Sequence, residues 1–96
     1  METTKQDKII LYGAAWCGDC VRSKAYLDSI GCEYEYIDIA EDESAVAKVL
    51  EINNGMKSIP TTLFPDGKVL VEPSNQELEE EIKSLEKNNL VVLKKN

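Results

Sequence analysis

The chain has 96 residues, of which 18 are acidic and 11 basic, and its formal net charge is -7. This length provides one domain with a modest core, because two domains would leave neither half enough apolar surface to bury. The acidic balance argues against binding to nucleic acid or to anionic membranes, since both require a basic face. We therefore expect one domain over residues 1–96, with the fold in residues 8–86 and a C-terminal tail or extra edge strand in residues 87–96.

The opening segment, residues 1–8, is polar and mixed in charge, and no long apolar run follows it. It predicts neither a signal peptide nor a transmembrane span, so we expect a cytoplasmic protein. The three cysteines are Cys17, Cys20 and Cys32, and an odd number in a reducing compartment argues against a disulfide scaffold. Cys32 stands alone between a predicted helix and a predicted strand, and we interpret it as a small buried residue.

The predicted elements alternate between strand and helix. Residues 9–12 are a short apolar run typical of a buried strand, and residues 18–30 have a helical pattern closed by Gly31. Residues 34–39 alternate apolar and acidic side chains, which predicts a second strand, and a second helix is predicted over residues 43–53. The chain then continues with a third strand at residues 61–64.

A tight turn at residues 65–68 leads to a fourth strand at residues 69–71, and Ser74 with Glu77 forms a capping-box pattern that opens a third helix. The buried stripe of that helix is predicted to be Leu78, Ile82 and Leu85. The order βαβαββα predicts an α/β fold. Its first two strands should be parallel with a right-handed crossover, and its hairpin completes a four-stranded mixed sheet with helices on both faces. The apolar run at residues 90–93 fits either an edge strand or a packed tail.

The motif that carries chemistry is Trp-Cys-Gly-Asp-Cys at residues 16–20, where the first strand gives way to the first helix. Free N–H groups and the helix dipole at a helix N-terminus favour a thiolate, the attacking species in thiol–disulfide exchange. Cys20 lies one turn further along the same face and can reach Cys17. We interpret Cys17 as the nucleophile and Cys20 as the resolving thiol, with Gly18 and Asp19 tuning the pair.

A Cys-x-x-Cys pair can also be half of a zinc site. A closed structural zinc site needs four ligands, whereas this chain has one further cysteine and no histidine. We therefore expect neither a metal nor a bound cofactor. We interpret Trp16 as a half-buried aromatic residue at a strand end and as an apolar wall that positions the incoming disulfide, two roles that are compatible.

The element order, with Cys-Gly-Asp-Cys at the first strand–helix junction, resembles the glutaredoxin family, which has the thioredoxin fold. Residues 58–61, Ser-Ile-Pro-Thr, match the loop in which that family carries a cis-proline facing the cysteine pair, here Pro60. Residues 54–55, 64–67 and 73–74 are similar to the mycoredoxin-like branch. The resemblance covers about residues 8–86.

This resemblance implies a thiol–disulfide oxidoreductase acting on oxidised proteins, as disulfides or as mixed disulfides with a small thiol. Its reductant would be a low-molecular-weight thiol, glutathione or a mycothiol-like thiol, recycled by an NADPH-dependent reductase, and we expect a monomer. The residues predicted to line the small-thiol site are Trp16, Arg22, Ile59, Pro60, Thr61, Ser74 and Asn75. Ser74 serves either as a plain helix cap or as part of an anion site at the helix N-terminus.

The chain departs from the family pattern at three places. Glu72 places a negative charge where a carboxylate of glutathione would dock, and Asp19 replaces an aromatic residue and should oppose thiolate formation at Cys17. A basic residue ahead of the cysteines is missing, which leaves Arg22 as the nearest positive charge. Arg22 would either steer a carboxylate and support the thiolate, or lie in solvent.

Two other functions stay open at this point. One is a redoxin that thioredoxin reductase reduces directly and that supplies electrons to ribonucleotide reductase. The other is an iron–sulfur cluster-carrying module, in which two chains hold the cluster through Cys17 and two small thiols. Family members of the second kind mostly have serine at the second cysteine, so Cys20 argues against it.

Overall fold

A computed structural model describes residues 8–91 of the chain. Its strands are β1 (Ile9–Gly13), β2 (Tyr34–Asp38), β3 (Thr61–Leu63) and β4 (Val69–Val71), and its helices are α1 (Gly18–Ser29), α2 (Glu43–Ile52) and α3 (Asn75–Lys87). This order confirms the predicted βαβαββα arrangement of a thioredoxin-like α/β fold. None of the described helices is long and apolar enough to cross a membrane.

The four strands form one mixed sheet in the order β2-β1-β3-β4. β1 runs parallel to β2 and antiparallel to β3, and β4 is antiparallel to β3. Gly13 pairs with Asp38, Tyr12 pairs with Thr61, and Thr61 pairs with Val71. The carboxyl ends of β1, β2 and β4 therefore meet the amino end of β3 at one edge of the sheet, which is where the loops leading into α1 and α3 begin.

The sheet separates two apolar clusters, because side chains alternate between its faces along each strand. The larger cluster contains Ile9 and Leu11 of β1 with residues of α1 and α3, and the smaller contains Tyr12 with residues of α2. The helices thus cover both faces, as predicted. Cys32 is buried in the larger cluster, which agrees with its interpretation as a core residue.

The ends of the elements follow local rules. Gly31 has φ of 71° after α1, a left-handed conformation that glycine adopts without strain.

Of the predicted apolar run at residues 90–93, Leu90 and Val91 pack against the larger cluster outside any strand, and Val92 and Leu93 lie outside the described residues. Where it is described, this run is packed tail rather than edge strand.

The buried stripe of α3 contains the predicted Leu78, Ile82 and Leu85, but also Glu81, which is only 7% exposed. Its Oε2 atom has no hydrogen-bond partner among the described residues. Burial raises the pKa of Glu81 to about 7, and a hydrogen bond with the Asp66 carboxylate adds to the rise. The folded protein therefore holds a proton on Glu81 that the unfolded chain releases at lower pH.

Replacing Glu81 by glutamine should stabilise the fold at neutral pH. Above the unfolded-state pKa of 4.5, ionisation favours the unfolded chain increasingly until the pH passes the folded-state value of about 7. We expect Glu81→Gln to raise the free energy of unfolding by about 1 kcal/mol at pH 7.5 and to have little effect at pH 4. Urea unfolding at both pH values measures this. Glu86→Gln, an exposed change on the same helix, is the control, and an equal gain at both pH values would contradict the prediction.

Candidate active site

Helix α1 begins at the cysteine pair, with Cys17 as its N-cap residue. Cys17 has an extended backbone, and its sulfur accepts a hydrogen bond from the backbone N–H of Cys20 at 3.3 Å. The sulfur thus takes the place that a serine or aspartate oxygen occupies in an ordinary N-cap. A backbone donor and the positive end of the helix dipole both face this atom, an arrangement that stabilises negative charge there.

Cys20 differs from Cys17 in its surroundings. Its side chain is fully buried, whereas that of Cys17 is partly exposed. Burial raises the pKa of Cys20 to about 12, and a side-chain hydrogen bond with Cys17 and the nearby charge of Asp19 contribute in the same direction. At neutral pH Cys20 is therefore a protonated thiol lying directly behind an accessible sulfur.

Gly13, at the end of β1, makes room for Cys20, and the sequence analysis assigned it no role. A Cβ atom on Gly13 would lie 2.9 Å from the Cys20 sulfur and 3.3 Å from Cε1 of Tyr36. The sulfur of Cys20 therefore packs against bare backbone at the sheet edge. A glycine four residues before the first cysteine was the available signal, but its meaning depends on a contact that the sequence does not display.

The loop before β3 contains a cis peptide bond between Ile59 and Pro60, as the resemblance implied. Pro60 is buried, and its carbonyl accepts a hydrogen bond from the backbone N–H of Glu72 at 2.8 Å. The Thr61 hydroxyl donates to the Ser58 carbonyl at 2.6 Å, so this side chain orders the loop. Ile59 packs its side chain against the smaller core cluster. The loop therefore presents backbone, more than side chains, at the sheet edge.

Arg22 links α1 to the beginning of α3. Its Nη1 donates to Oδ1 of Asn75 at 2.6 Å and its Nη2 donates to the carbonyl of Pro73 at 2.7 Å. Its Nε lies 3.7 Å from Oδ1 of Asp19. Arg22 is therefore tied to the beginning of α3, while its side chain stays 36% exposed.

The N-terminus of α3 carries the complete capping box that the sequence predicted. The hydroxyl of Ser74 accepts from the Glu77 N–H at 3.1 Å, and the Glu77 carboxylate accepts from the Ser74 N–H at 2.8 Å. Beside it is an open cavity of about 440 Å³, lined by Arg22, Glu72, Pro73, Ser74, Asn75 and Glu77. The structure thus brings three of the predicted thiol-site residues together at one cavity.

Trp16 is 75% exposed, far more than a half-buried residue at a strand end would be. Val21, which follows Cys17 by one helical turn, is also exposed, and the sequence reasoning did not single it out. Met56 and Val71 are two further exposed apolar residues, and they line one shallow cavity.

Within residues 8–91 no group of three or more cysteine and carboxylate side chains could hold a metal ion.

Residues 9–70 match the family model described as Glutaredoxin. The chain belongs to the glutaredoxin family. Mycoredoxin 1 of Corynebacterium glutamicum is 32% identical over 77 residues, which are 80% of this chain and 95% of that protein. This glutaredoxin is therefore a thiol–disulfide oxidoreductase of the mycoredoxin-like type.

Solved structures share the fold of this chain. The glutaredoxin of Archaeoglobus fulgidus superposes with a TM-score of 0.71 at 24% identity, covering 86% of this chain and 97% of that one. The thioredoxin-like protein BC3987 superposes with a TM-score of 0.68 at 29% identity, covering 76% and 97% of the two chains. The fold predicted from the element order is thus the fold of its structural neighbours.

Removing the charge of Asp19 should make Cys17 more reactive. Asp19 follows Cys17 by two residues in the sequence, and its carboxylate offsets the positive charge of Arg22, whose Nε lies 3.7 Å from it. We expect Asp19→Asn to accelerate alkylation of Cys17 by iodoacetamide at pH 7 about 2- to 5-fold, the effect of one screened charge at short range. Glu86→Gln removes a distant charge and is the control. An unchanged or slower alkylation rate in Asp19→Asn would contradict this expectation.

Proposed function

We propose that this glutaredoxin reduces protein disulfides and mixed disulfides between a protein and a small thiol, with Cys17 as the nucleophile and Cys20 as the resolving thiol. The asymmetry of the pair is the observation that carries this proposal. Cys17 is accessible and its sulfur accepts a backbone N–H, whereas Cys20 is buried and keeps its proton. An attacking sulfur and a protected second thiol are the two parts that such an exchange requires.

The first step forms a disulfide bond between Cys17 and the small thiol, and it breaks the bond between the small thiol and the protein substrate. The substrate sulfur leaves as a thiolate and takes a proton from water. Cys20 then attacks the Cys17 sulfur, and its proton passes through water to the departing sulfur of the small thiol; the small thiol is released and a disulfide is left between the two cysteines. Two electrons pass from the cysteine pair to the substrate.

A low-molecular-weight thiol, glutathione or a mycothiol-like thiol, returns the electrons. Two equivalents of it reduce the cysteine pair and end as their own disulfide, which an NADPH-dependent reductase recycles. The likeness to Mycoredoxin 1 supports a reductant of this class. We also propose that the reaction takes place in the cytoplasm and that the monomer is the active form.

The residues around the pair supply two kinds of contact. The exposed indole of Trp16 offers a flat apolar surface beside Cys17, and the loop of Ile59, Pro60 and Thr61 offers backbone groups to the incoming thiol. Arg22, Ser74 and Asn75 share the cavity at the beginning of α3, where the remainder of the small thiol would lie. A Cβ at Gly18 would meet nothing within 4 Å, so space alone does not require glycine between the cysteines.

Serine variants separate the roles of the cysteines. We expect Cys17→Ser to lose at least 100-fold in rate on both substrate types, because a hydroxyl at neutral pH does not attack a disulfide. Cys20→Ser should still reduce a peptide–small-thiol mixed disulfide when small thiol is present, but should fail on an internal protein disulfide such as that of insulin. Both rates are measured with an NADPH-coupled assay.

The core cysteine provides the matched control for this experiment. Cys32 is buried in the larger cluster, so Cys32→Ala should retain activity on both substrates. Activity of Cys17→Ser equal to that of the wild type would defeat the proposal. Reduction by thioredoxin reductase without any small thiol would instead identify a different electron donor for the same cysteine pair.

A further inference from the structure

Resting on the function proposed above, we infer that Glu72 selects the small thiol by its charge, so that mixed disulfides of neutral or cationic thiols react faster than those of anionic thiols. Three features of the site favour this selection. They are the position of Glu72, the contacts that Arg22 already makes within the protein, and the Glu77 carboxylate at the N-terminus of α3.

Glu72 lies in the loop that joins β4 to α3. The preceding residue, Val71, pairs with Thr61, and the Glu72 N–H donates to the carbonyl of Pro60 at 2.8 Å. Glu72 is exposed and lines the same cavity as Arg22 and Ser74. Its backbone is thus anchored directly to the cis-proline loop, and its exposed side chain extends from the sheet edge that holds the cysteine pair.

The backbone of Glu72 has φ of 51°, in the left-handed region. Glycine adopts this conformation without cost, whereas a residue with a side chain is strained there. The carboxylate is therefore retained at a position where backbone conformation alone favours glycine. This makes Glu72→Gly a variant that removes the charge and relieves the backbone at once.

The positive charge of Arg22 is already engaged within the protein. Its guanidinium donates to Asn75 Oδ1 and to the carbonyl of Pro73, and its third contact is with the Asp19 carboxylate. A thiol that carries a carboxylate could reach only the N–H groups of Arg22 that these contacts leave over. It would also meet a guanidinium whose positive charge is already offset by the Asp19 carboxylate at 3.7 Å.

The N-terminus of α3 is likewise occupied by a carboxylate of the protein itself. Glu77 accepts from the Ser74 N–H and thereby compensates the positive end of the helix dipole. The carboxylates of Glu72 and Glu77 and the guanidinium of Arg22 line this cavity, and the Asp19 carboxylate lies 3.7 Å from Arg22, in a chain whose net charge is -7. An incoming anion is repelled by this field, and a cation is attracted by it.

The test uses one neutral peptide carrying a single cysteine, prepared as mixed disulfides with cysteamine, 2-mercaptoethanol and 3-mercaptopropionate. These thiols are similar in size and carry positive, zero and negative charge. Reduced full-length protein is mixed with each, and release of the peptide thiol is followed at low ionic strength. Each rate is divided by the rate of the same compound with neutral dithiothreitol, which removes differences in intrinsic sulfur reactivity.

We expect the normalised rates of the wild type to fall from cysteamine to 3-mercaptopropionate by about tenfold, and to converge as salt is added. Glu72→Gln and Glu72→Gly should each reduce this ratio about threefold, because both remove the same charge although only one relieves the strained backbone. Glu86→Gln, which removes an exposed charge on α3, should leave the ratio unchanged.

The outcomes separate this inference from the function on which it rests. Equal normalised rates for the three thiols in the wild type, or a ratio that both Glu72 variants leave unchanged, would overturn the selection by charge. Absence of peptide release from all three compounds, or release that persists in Cys17→Ser, would instead overturn the proposed function.

Discussion

The contact on which the site depends is the hydrogen bond from the backbone N–H of Cys20 to the sulfur of Cys17. It makes a cysteine the N-cap of α1, so the same atoms that begin the helix also stabilise charge on the sulfur. The contact exists because β1 ends in Gly13, where only bare backbone leaves room for the buried Cys20. Burial then keeps the proton on Cys20. One local arrangement therefore provides two sulfurs with different chemistry.

The topology of the sheet brings the remaining parts to this contact. Because β1 is parallel to β2 and antiparallel to β3, the beginning of α1, the cis-proline loop and the beginning of α3 share one edge. Arg22 joins two of these segments through its contacts with Pro73 and Asn75, across about fifty residues of sequence. The rigid part of the site is thus built from helix ends and backbone turns. Its charge is set by the exposed carboxylates around Arg22.

Much of the fold could be predicted because its signals are local. The strand of residues 9–12, the stripe of Leu78, Ile82 and Leu85, and the capping box at Ser74 each depend on neighbours within one or two turns. The cysteine pair could be located for the same reason. Features that depend on contacts between distant residues could not be predicted. They are the hydrogen-bond partners of Arg22, the burial of Glu81 near Asp66, and the space that Gly13 leaves for the Cys20 sulfur. The exposure of Trp16 likewise reflects how the loop before α1 leaves the sheet, which no sequence pattern encodes.

The central claim is that Cys17 exchanges with substrate disulfides while Cys20 resolves the product. Mass spectrometry of the Cys20→Ser protein isolated from cells under acid quenching tests it most directly, because without the resolving thiol the covalent intermediate accumulates. We expect a small-thiol or protein adduct on Cys17, with Cys32 unmodified in the core. An unmodified Cys17, or an adduct carried by Cys32 alone, would contradict it.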